Sequence, residues 1–311
     1  MKKLEGIKNS LLKIQTLRRV IQFVSFLLIY SVILGINPIP LLLPILSSMG
    51  VQSKIVGEAF ATLQYMLYET IFPWFPIAIF ILFSIFLGRA LCGWVCPFGF
   101  VQDLMVYVKR RHMEVSLDTH RSLVKLKYVL LGIILFISFT VAASLVVSPS
   151  VGESYVKALG PFAQTPFNVL SPSDTLFAVL PKMFLSLRFA IYQQSFWEIV
   201  SGIARFSPLL WARLMIFFGV MVLAAYVPRS WCKYFCPNGA LMALFSRFSF
   251  LGLKREPIKC TRAECRICME ACPMNVRITE LPWEKFNDPE CIYCLKCVDE
   301  CPTKALKPKF P

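Results

Sequence analysis

One eleven-residue pattern occurs twice in this chain, 140 positions apart. Arg89-Ala90-Leu91-Cys92-Gly93-Trp94-Val95-Cys96-Pro97-Phe98-Gly99 is matched by Arg229-Ser230-Trp231-Cys232-Lys233-Tyr234-Phe235-Cys236-Pro237-Asn238-Gly239, with Arg, both Cys, Pro and Gly kept in place. Each copy follows a long apolar run and leads into a basic amphipathic segment. Self-similarity of this kind constrains the fold more than any single segment does. It calls for two equivalent halves, each presenting the same pair of thiols.

The chain has 311 residues, 57% of them hydrophobic and only 16% charged, with a mean hydropathy of +0.63. Soluble domains carry roughly 25% charged residues, so the composition is that of a membrane protein. Four apolar stretches approach the ~20 residues that a helix needs to cross a bilayer: 20–36, 75–91, 128–147 and 209–227. The first ends at Asn37-Pro38-Ile39-Pro40, where two prolines stop a helix. Residues 41–72, broken by glycines and proline, read as a half-buried excursion on the far side of the membrane, and the proline-rich 148–208 as its counterpart. Helices are expected there near 57–71, 175–187 and 190–205, and an interfacial helix near 98–113. Residues 1–19 are polar and basic, and no small-residue cleavage pattern follows, so a cleaved secretory signal is not expected.

Lys and Arg set the orientation. They crowd the N-terminal arm (Lys2, Lys3, Lys8, Lys13, Arg18, Arg19), the 89–127 loop and everything after Arg229. The first excursion carries only Lys54, the second Lys157, Lys182, Arg188 and Arg205. Both termini and both Cys copies are therefore expected to be cytoplasmic, in a multi-pass protein of the cell membrane. Each half enters and leaves on one side, so the two repeats should be parallel, with a pseudo-twofold axis along the membrane normal. The net charge of +15 follows from this asymmetry, with anionic lipid as its partner. Nothing calls for nucleic acid.

From about residue 251 the chain changes character and completes a total of 12 cysteines. In a cytoplasmic setting such spacings read as metal ligands and not as disulfides. Cys260-x4-Cys265-x2-Cys268-x3-Cys272-Pro273 is followed by Cys291-x2-Cys294-x2-Cys297-x3-Cys301-Pro302. Three thiolates on a tight loop suit three irons of a [4Fe–4S] cubane, and in two-cluster ferredoxins the fourth Cys of each run serves the other cluster. The expected sets are Cys260, Cys265, Cys268 and Cys301 for one cluster, and Cys291, Cys294, Cys297 and Cys272 for the other. Zinc shares the Cys-x2-Cys spacing, but it does not call for a Cys-Pro after an x3 gap. The x4 gap after Cys260 departs from the ferredoxin spacing.

With both Cys-x3-Cys-Pro copies behind apolar spans and two cubane runs at the C-terminus, nearly the whole chain resembles the NapH-type, polyferredoxin-like membrane iron–sulfur proteins. Relatives of that family include the membrane parts of NosR-type and CcoG-type proteins. The resemblance implies a quinol dehydrogenase component that moves electrons between the quinone pool and an iron–sulfur or cytochrome partner. The NosR-type flavin domain has no room in the short excursions. The two histidines, His112 and His120, lie outside the spans, and no Cys-x2-Cys-His occurs, so neither flavin nor haem is expected.

The repeated thiols admit several readings. If Cys-x3-Cys is helical, Cys92 and Cys96 share a face, as do Cys232 and Cys236. Four thiolates about a pseudo-twofold axis would then hold a third [4Fe–4S] cluster. Proline after each second Cys would open a new helix whose N-terminus favours an anion. Dithiol chemistry, a copper or zinc site and inert buried thiols are the alternatives. Arg89 and Arg229 read either as positive-inside anchors or as the surroundings of an anion or quinone. Trp94 and Tyr234 read as interfacial anchors or quinone-stacking rings. Glu58, Glu69, Glu153, Asp174 and Glu198 read as surface charges or proton acceptors, and Arg213 as a snorkelling residue.

The sequence thus specifies a mainly α fold: a four-span bundle of two parallel repeats over residues 1–250, then a small α+β two-cluster ferredoxin domain over 251–311. A CcoG-type metal reductase and a non-catalytic anchor subunit for soluble redox proteins are the competing functions.

Overall fold

Apolar runs punctuated by proline produce four long helices and a series of short ones. They are seen in a computed structural model that describes residues 14–33, 41–46, 56–109, 113, 115–181, 183–184, 208–260 and 265–310. Helix α1 (Ile14–Ile33) is followed by a parallel pair, β1 (Leu41–Leu43) and β2 (Val56–Glu58), in which Leu41 lies beside Val56. Then come α2 (Ala59–Tyr68), α3 (Trp74–Leu87), and the first Cys copy as α4 (Ala90–Trp94) and α5 (Pro97–Met105). Helix α6 (Leu117–Val147) is capped by Ser116, whose Oγ accepts the Thr119 N–H at 3.4 Å. Helices α7 (Pro149–Leu159), α8 (Pro166–Leu170) and α9 (Pro172–Asp174) each begin on proline, whose missing N–H is harmless in a first turn. The second copy repeats the pattern with α10 (Pro208–Tyr226), α11 (Ser230–Tyr234) and α12 (Pro237–Ser246).

The apolar stretches expected to span overlap α1, α3, α6 and α10 in their described residues. Among the described residues, α6 and α10 are long and apolar enough to cross a membrane. Helix α3 has 14 residues, about 21 Å of rise, and α1 carries Arg18, Arg19 and Gln22 in its first turns.

The half-buried excursions pack among the helices, and one expected helix needs correction. Ile45, Leu46, Phe60 and Phe177 are almost fully buried. The Leu46 N–H reaches the Cys96 sulfur. The Gln64 side-chain oxygen accepts the Phe167 N–H at 3.1 Å, and Phe167 meets Phe60 edge-on and stacks on Trp231. These segments fold back into the bundle because their apolar side chains need cover, and irregular backbone is tolerated at depth only inside protein. Likewise, the helix expected over 98–113 stops at Met105 with a 3-10 turn to Val108. It is not interfacial: Phe98, Phe100, Gln102 and Asp103 are buried, and the helix packs against both α1 and α10. The helix expected near 175–187 is entered through a π turn at Thr175–Val179. That expected at 190–205 lies outside the described residues.

The C-terminal unit is built on β3 (Gly252–Arg255) paired antiparallel with β4 (Leu306–Lys309), Arg255 opposite Leu306, with short helices α13 (Ile267–Glu270) and α14 (Lys296–Asp299) between them. Leu253, Met274, Ile278, Phe286, Ile292 and Leu306 make its core.

Candidate metal centres and the contact between them

Cys92 lies in α4 and Cys232 in α11, whereas Cys96 and Cys236 are the N-caps of α5 and α12. The single helix expected through each Cys-x3-Cys is therefore a short helix, a break and a new helix. Proline cannot continue a helix interior but is well suited to N1, so Pro97 and Pro237 force the restart. Each second Cys then receives N–H groups on its sulfur. Gly239 N donates to Cys236 Sγ at 3.2 Å, and Gly99 and Leu46 donate to Cys96. All four thiols are buried.

The two copies interlock around these thiols. Arg229 Nη1 donates to the Cys92 carbonyl at 2.9 Å, and Arg89 Nη2 to the Cys232 carbonyl at 3.3 Å. Each guanidinium passes over the glycine of the other copy. A Cβ at Gly239 would lie 2.7 Å from Arg89 Nη2, and one at Gly99 would lie 3.4 Å from Arg229 Nη2. Gln102 Nε2 donates to Cys232 Sγ at 3.2 Å, and Met242, its counterpart in the second copy, places Sδ 3.7 Å from Cys92 Sγ. The Arg, Cys, Pro and Gly shared by the copies are thus the residues that build a two-copy site.

Asp103 anchors this lock. It accepts Arg229 Nε and Nη2 at 2.8 and 2.7 Å and Arg18 Nη2 at 2.5 Å, with Gln22 Nε2 at 3.2 Å and Arg19 at 3.0 Å. Burial alone would raise its pKa, but Arg229, Arg18 and Arg19 hold the carboxyl well below the ordinary carboxylate range. Burial, with Cys232 and Cys92 nearby, pushes the Cys96 thiol up to about 12, and burial raises Cys232 and Cys236 as well. A metal would have to displace those protons.

Cys272, Cys291, Cys294 and Cys297 line one apolar cavity with Leu253, Met274, Ile278, Phe286 and Tyr293. Cys268 feels Cys265, Cys260 and Cys301, and the segment bridging the x4 gap lies outside the described residues. Asn275 and Lys304, each three residues after a Cys-Pro cysteine, have positive φ, as do Tyr293 and Leu295 between ligands. Such backbone is costly for residues other than glycine. It accompanies amide donors on sulfur: Val276 N to Cys272 Sγ at 3.4 Å and Ala305 N to Cys301 Sγ at 3.3 Å. Among the described residues no three of His, Cys, Asp or Glu converge as ligands of a single ion do. A cubane spreads its thiolates farther apart than one ion does, and the donor sets, all sulfur with backbone N–H support, fit such a group.

The ferredoxin unit is seated on the first Cys copy. Trp94 Nε1 donates to the Tyr293 carbonyl at 2.8 Å, and Gln15 Nε2 to the Cys294 carbonyl at 2.8 Å. Gly93 meets the Ile292 carbonyl so closely that no Cβ fits. Gly88, at φ +58°, leaves a Cβ only 2.7 Å from Tyr293 Cε2. Arg89 Nη1 donates to Glu290 at 2.8 Å, Lys127 pairs with the same oxygen, and Lys233 Nζ donates to Asn275 Oδ1 at 3.2 Å.

Several side chains therefore differ from their expected roles. Arg89 and Arg229 are fully buried ion-pair partners, not anchors at a lipid surface. Trp94 clamps the ferredoxin unit. Tyr234 is buried with its Oη 3.0 Å from His120 Nδ1. These contacts with protein account for all four residues expected near a quinone. Glu58 is fully buried and accepts Asn238 Nδ2 at 2.9 Å, and Arg213 pairs with Asp174 at 3.6 Å instead of snorkelling. Glu69 and Glu153 are exposed, and Glu198 lies outside the described residues. Sequence reading missed Gln102, Asp103, Lys127 and Glu290. The available signal was a polar residue in an apolar helix for Gln102, Asp103 and Lys127, with a fixed offset from the motif for the first two, and for Glu290 its place immediately before Cys291.

Residues 71–115 and 209–257, which carry the two Cys copies, match a family described as 4Fe-4S binding domain, and residues 259–306 match the 4Fe-4S dicluster domain. The chain is 28% identical over 236 residues to the uncharacterized protein MJ0750 of Methanocaldococcus jannaschii, covering 74% of this chain and 76% of that protein. YccM of Escherichia coli, whose name assigns it to electron transport, is 23% identical over 72% of this chain and 51% of its own length. The regulatory protein NosR of Pseudomonas aeruginosa is 24% identical over 71% of this chain, which spans only 26% of that protein. A ferredoxin of Methanothermococcus thermolithotrophicus is 41% identical over 54 residues, 16% of this chain and 87% of the ferredoxin. No solved structure matches the chain.

Proposed function

The C-terminal part of this chain belongs to the ferredoxin family, and from that premise we propose that the protein is a membrane-embedded electron carrier with three [4Fe–4S] clusters. One would be held by Cys260, Cys265, Cys268 and Cys301, a second by Cys291, Cys294, Cys297 and Cys272, and the third by Cys92, Cys96, Cys232 and Cys236. Bound there, the clusters supply one-electron carriage. Helices α1, α3, α6 and α10 are the four spans, and each turns large apolar side chains outward, among them Phe23, Leu82, Phe136 and Phe218. Lipid cover suits such surface. Electrons pass between the quinone pool and a redox partner protein, as in NapH-type proteins, with the C-terminal unit on the cytoplasmic side.

One observation carries this reading: the repeated thiols are buried, and α4, which bears Cys92, meets the loop that bears Cys291 and Cys294 through Gly93 and Trp94. Charge supports it too. Arg18, Arg89, Lys127, Arg229 and Lys233 are at most 2% exposed; Asp103 pairs with Arg18 and Arg229, Glu290 with Arg89 and Lys127, and Lys233 donates to Asn275. Buried charge is costly unless balanced, and a four-thiolate cluster would supply the missing negative charge.

The test is iron and sulfide content of anaerobically purified chain, with EPR after reduction by a quinol analogue. About twelve irons, with loss of about four on Cys92→Ser or Cys232→Ser, is the expected result. About eight irons, unchanged by those substitutions, sinks the third cluster. Failure of quinol to reduce clusters that dithionite reduces removes the quinone pool from the reading. The thioether of Met242 beside Cys92 favours a second reading, a CcoG-type metal reductase, since sulfur donors of both kinds suit Cu(I). It requires copper-dependent turnover and indifference to quinol analogues.

A further inference from the structure

The two Cys copies differ in where each buried guanidinium finds its carboxylate. Arg229 meets Asp103, one helical turn beyond Gly99 on α5. The same step from Gly239 on α12 reaches Ala243, which is buried and has no charge. Arg89 meets Glu290 instead, a residue of the ferredoxin unit immediately before Cys291. Lys127 ends on the same carboxylate, and Tyr128 Oη reaches its other oxygen at 3.3 Å. Arg89 Nη1 also donates to the Pro289 carbonyl at 3.2 Å, while Nη2 donates to the Cys232 carbonyl. One guanidinium thus ties a carbonyl of the repeated-thiol site to the loop that carries Cys291.

We propose that Glu290 is a positioning residue: it supplies from the ferredoxin unit the counter-ion that the second repeat lacks at Ala243, and so seats the Cys291 loop against the repeated thiols. Arg89 and Lys127 repel one another, and a buried cation without an anion is strongly unfavourable. The membrane repeat is therefore electrostatically complete only when the ferredoxin unit is docked. The consequence for electron passage rests on the electron-carrier reading; the docking itself does not.

The experiment uses the full chain in detergent with Glu290→Gln, and with Glu290→Gln combined with Ala243→Asp. Hydrogen exchange over 288–295, the thermal midpoint and the rate of electron passage into the C-terminal clusters are measured. Glu290→Gln should lower the midpoint and speed exchange about tenfold or more, the effect of losing a charge-assisted hydrogen bond. The double variant returns a carboxylate to Arg89 within the membrane repeat. It should recover the midpoint, keep the fast exchange and pass electrons about tenfold more slowly, as misplacement of reacting groups does. Glu290→Asp serves if the Gln variant does not accumulate: the midpoint should hold while exchange quickens. Unchanged exchange in either single variant, or recovery of both midpoint and exchange in the double variant, overturns the proposal. Exchange needs no iron at the repeated thiols, so fast exchange with unslowed electron passage would leave the docking standing and count against the electron path.

Discussion

Replacing Asp103 by Asn isolates the lock between the two repeats. The carboxylate accepts Arg229 through two hydrogen bonds at 2.7 and 2.8 Å, and Arg18 through one at 2.5 Å. Arg18, Arg229 and Asp103 are all buried. Asn keeps the shape and one acceptor oxygen but removes the only charge these contacts share. Removing one partner of a buried ion pair costs about 3–5 kcal/mol, a large part of the ~5–15 kcal/mol that holds a typical domain together. Asp103→Asn should therefore lower the unfolding free energy of the detergent-solubilised chain by about 3–5 kcal/mol, read from chemical unfolding with matched slopes. Glu280→Gln, on the exposed Arg277–Glu280 pair, is the control and should stay within ~0.5 kcal/mol. The pH dependence has a definite sign. The folded carboxyl titrates below its unfolded value of ~3.9, so its contribution is fully present above that pH and is lost as pH falls through the folded value. Asp103→Asn should remove that acid-side slope. A loss under ~1 kcal/mol, typical of surface pairs, or an unchanged acid-side slope, would refute the reasoning.

Gly93→Ala should weaken the seat of the ferredoxin unit, since its Cβ would meet the Ile292 carbonyl. The expected cost is about 1–3 kcal/mol, seen as faster proteolysis of the C-terminal unit, and wild-type resistance would count against the docking geometry. Gln102→Leu should shift the repeated-thiol centre to a more negative potential in a redox titration followed by EPR, because hydrogen bonds to sulfur tune cluster potentials. Met242→Gln, which offers a donor to Cys92 instead of a thioether, should shift it the other way; no movement in either variant would remove Gln102 and Met242 as tuning residues.

Much of this protein follows from local chemistry that its sequence displays. Long apolar runs mark the bodies of α1, α3, α6 and α10, because helix is dictated by composition over a window, although α6 begins at Leu117, well before its apolar run at 128. Proline after the second Cys of each copy fixes the start of α5 and α12, because the ring removes an N–H and blocks the preceding turn. The two ferredoxin runs, each closing with a Cys-Pro after an x3 gap, are legible because that spacing is local to each loop.

Only the tertiary structure decided the rest. That Arg229 would bond Asp103, and Arg89 a residue 201 positions away, depends on how the repeats and the ferredoxin unit pack, and no local pattern encodes it. The excursions turn inward for a reason of the same kind. Residues 41–46 and 166–170 are apolar, and the cover they find is other protein: β1 packs on α3 and Leu46 reaches Cys96, while Phe167 meets Phe60 and Trp231. Sequence set which residues needed burial or a counter-charge; packing alone determined which partner met each need.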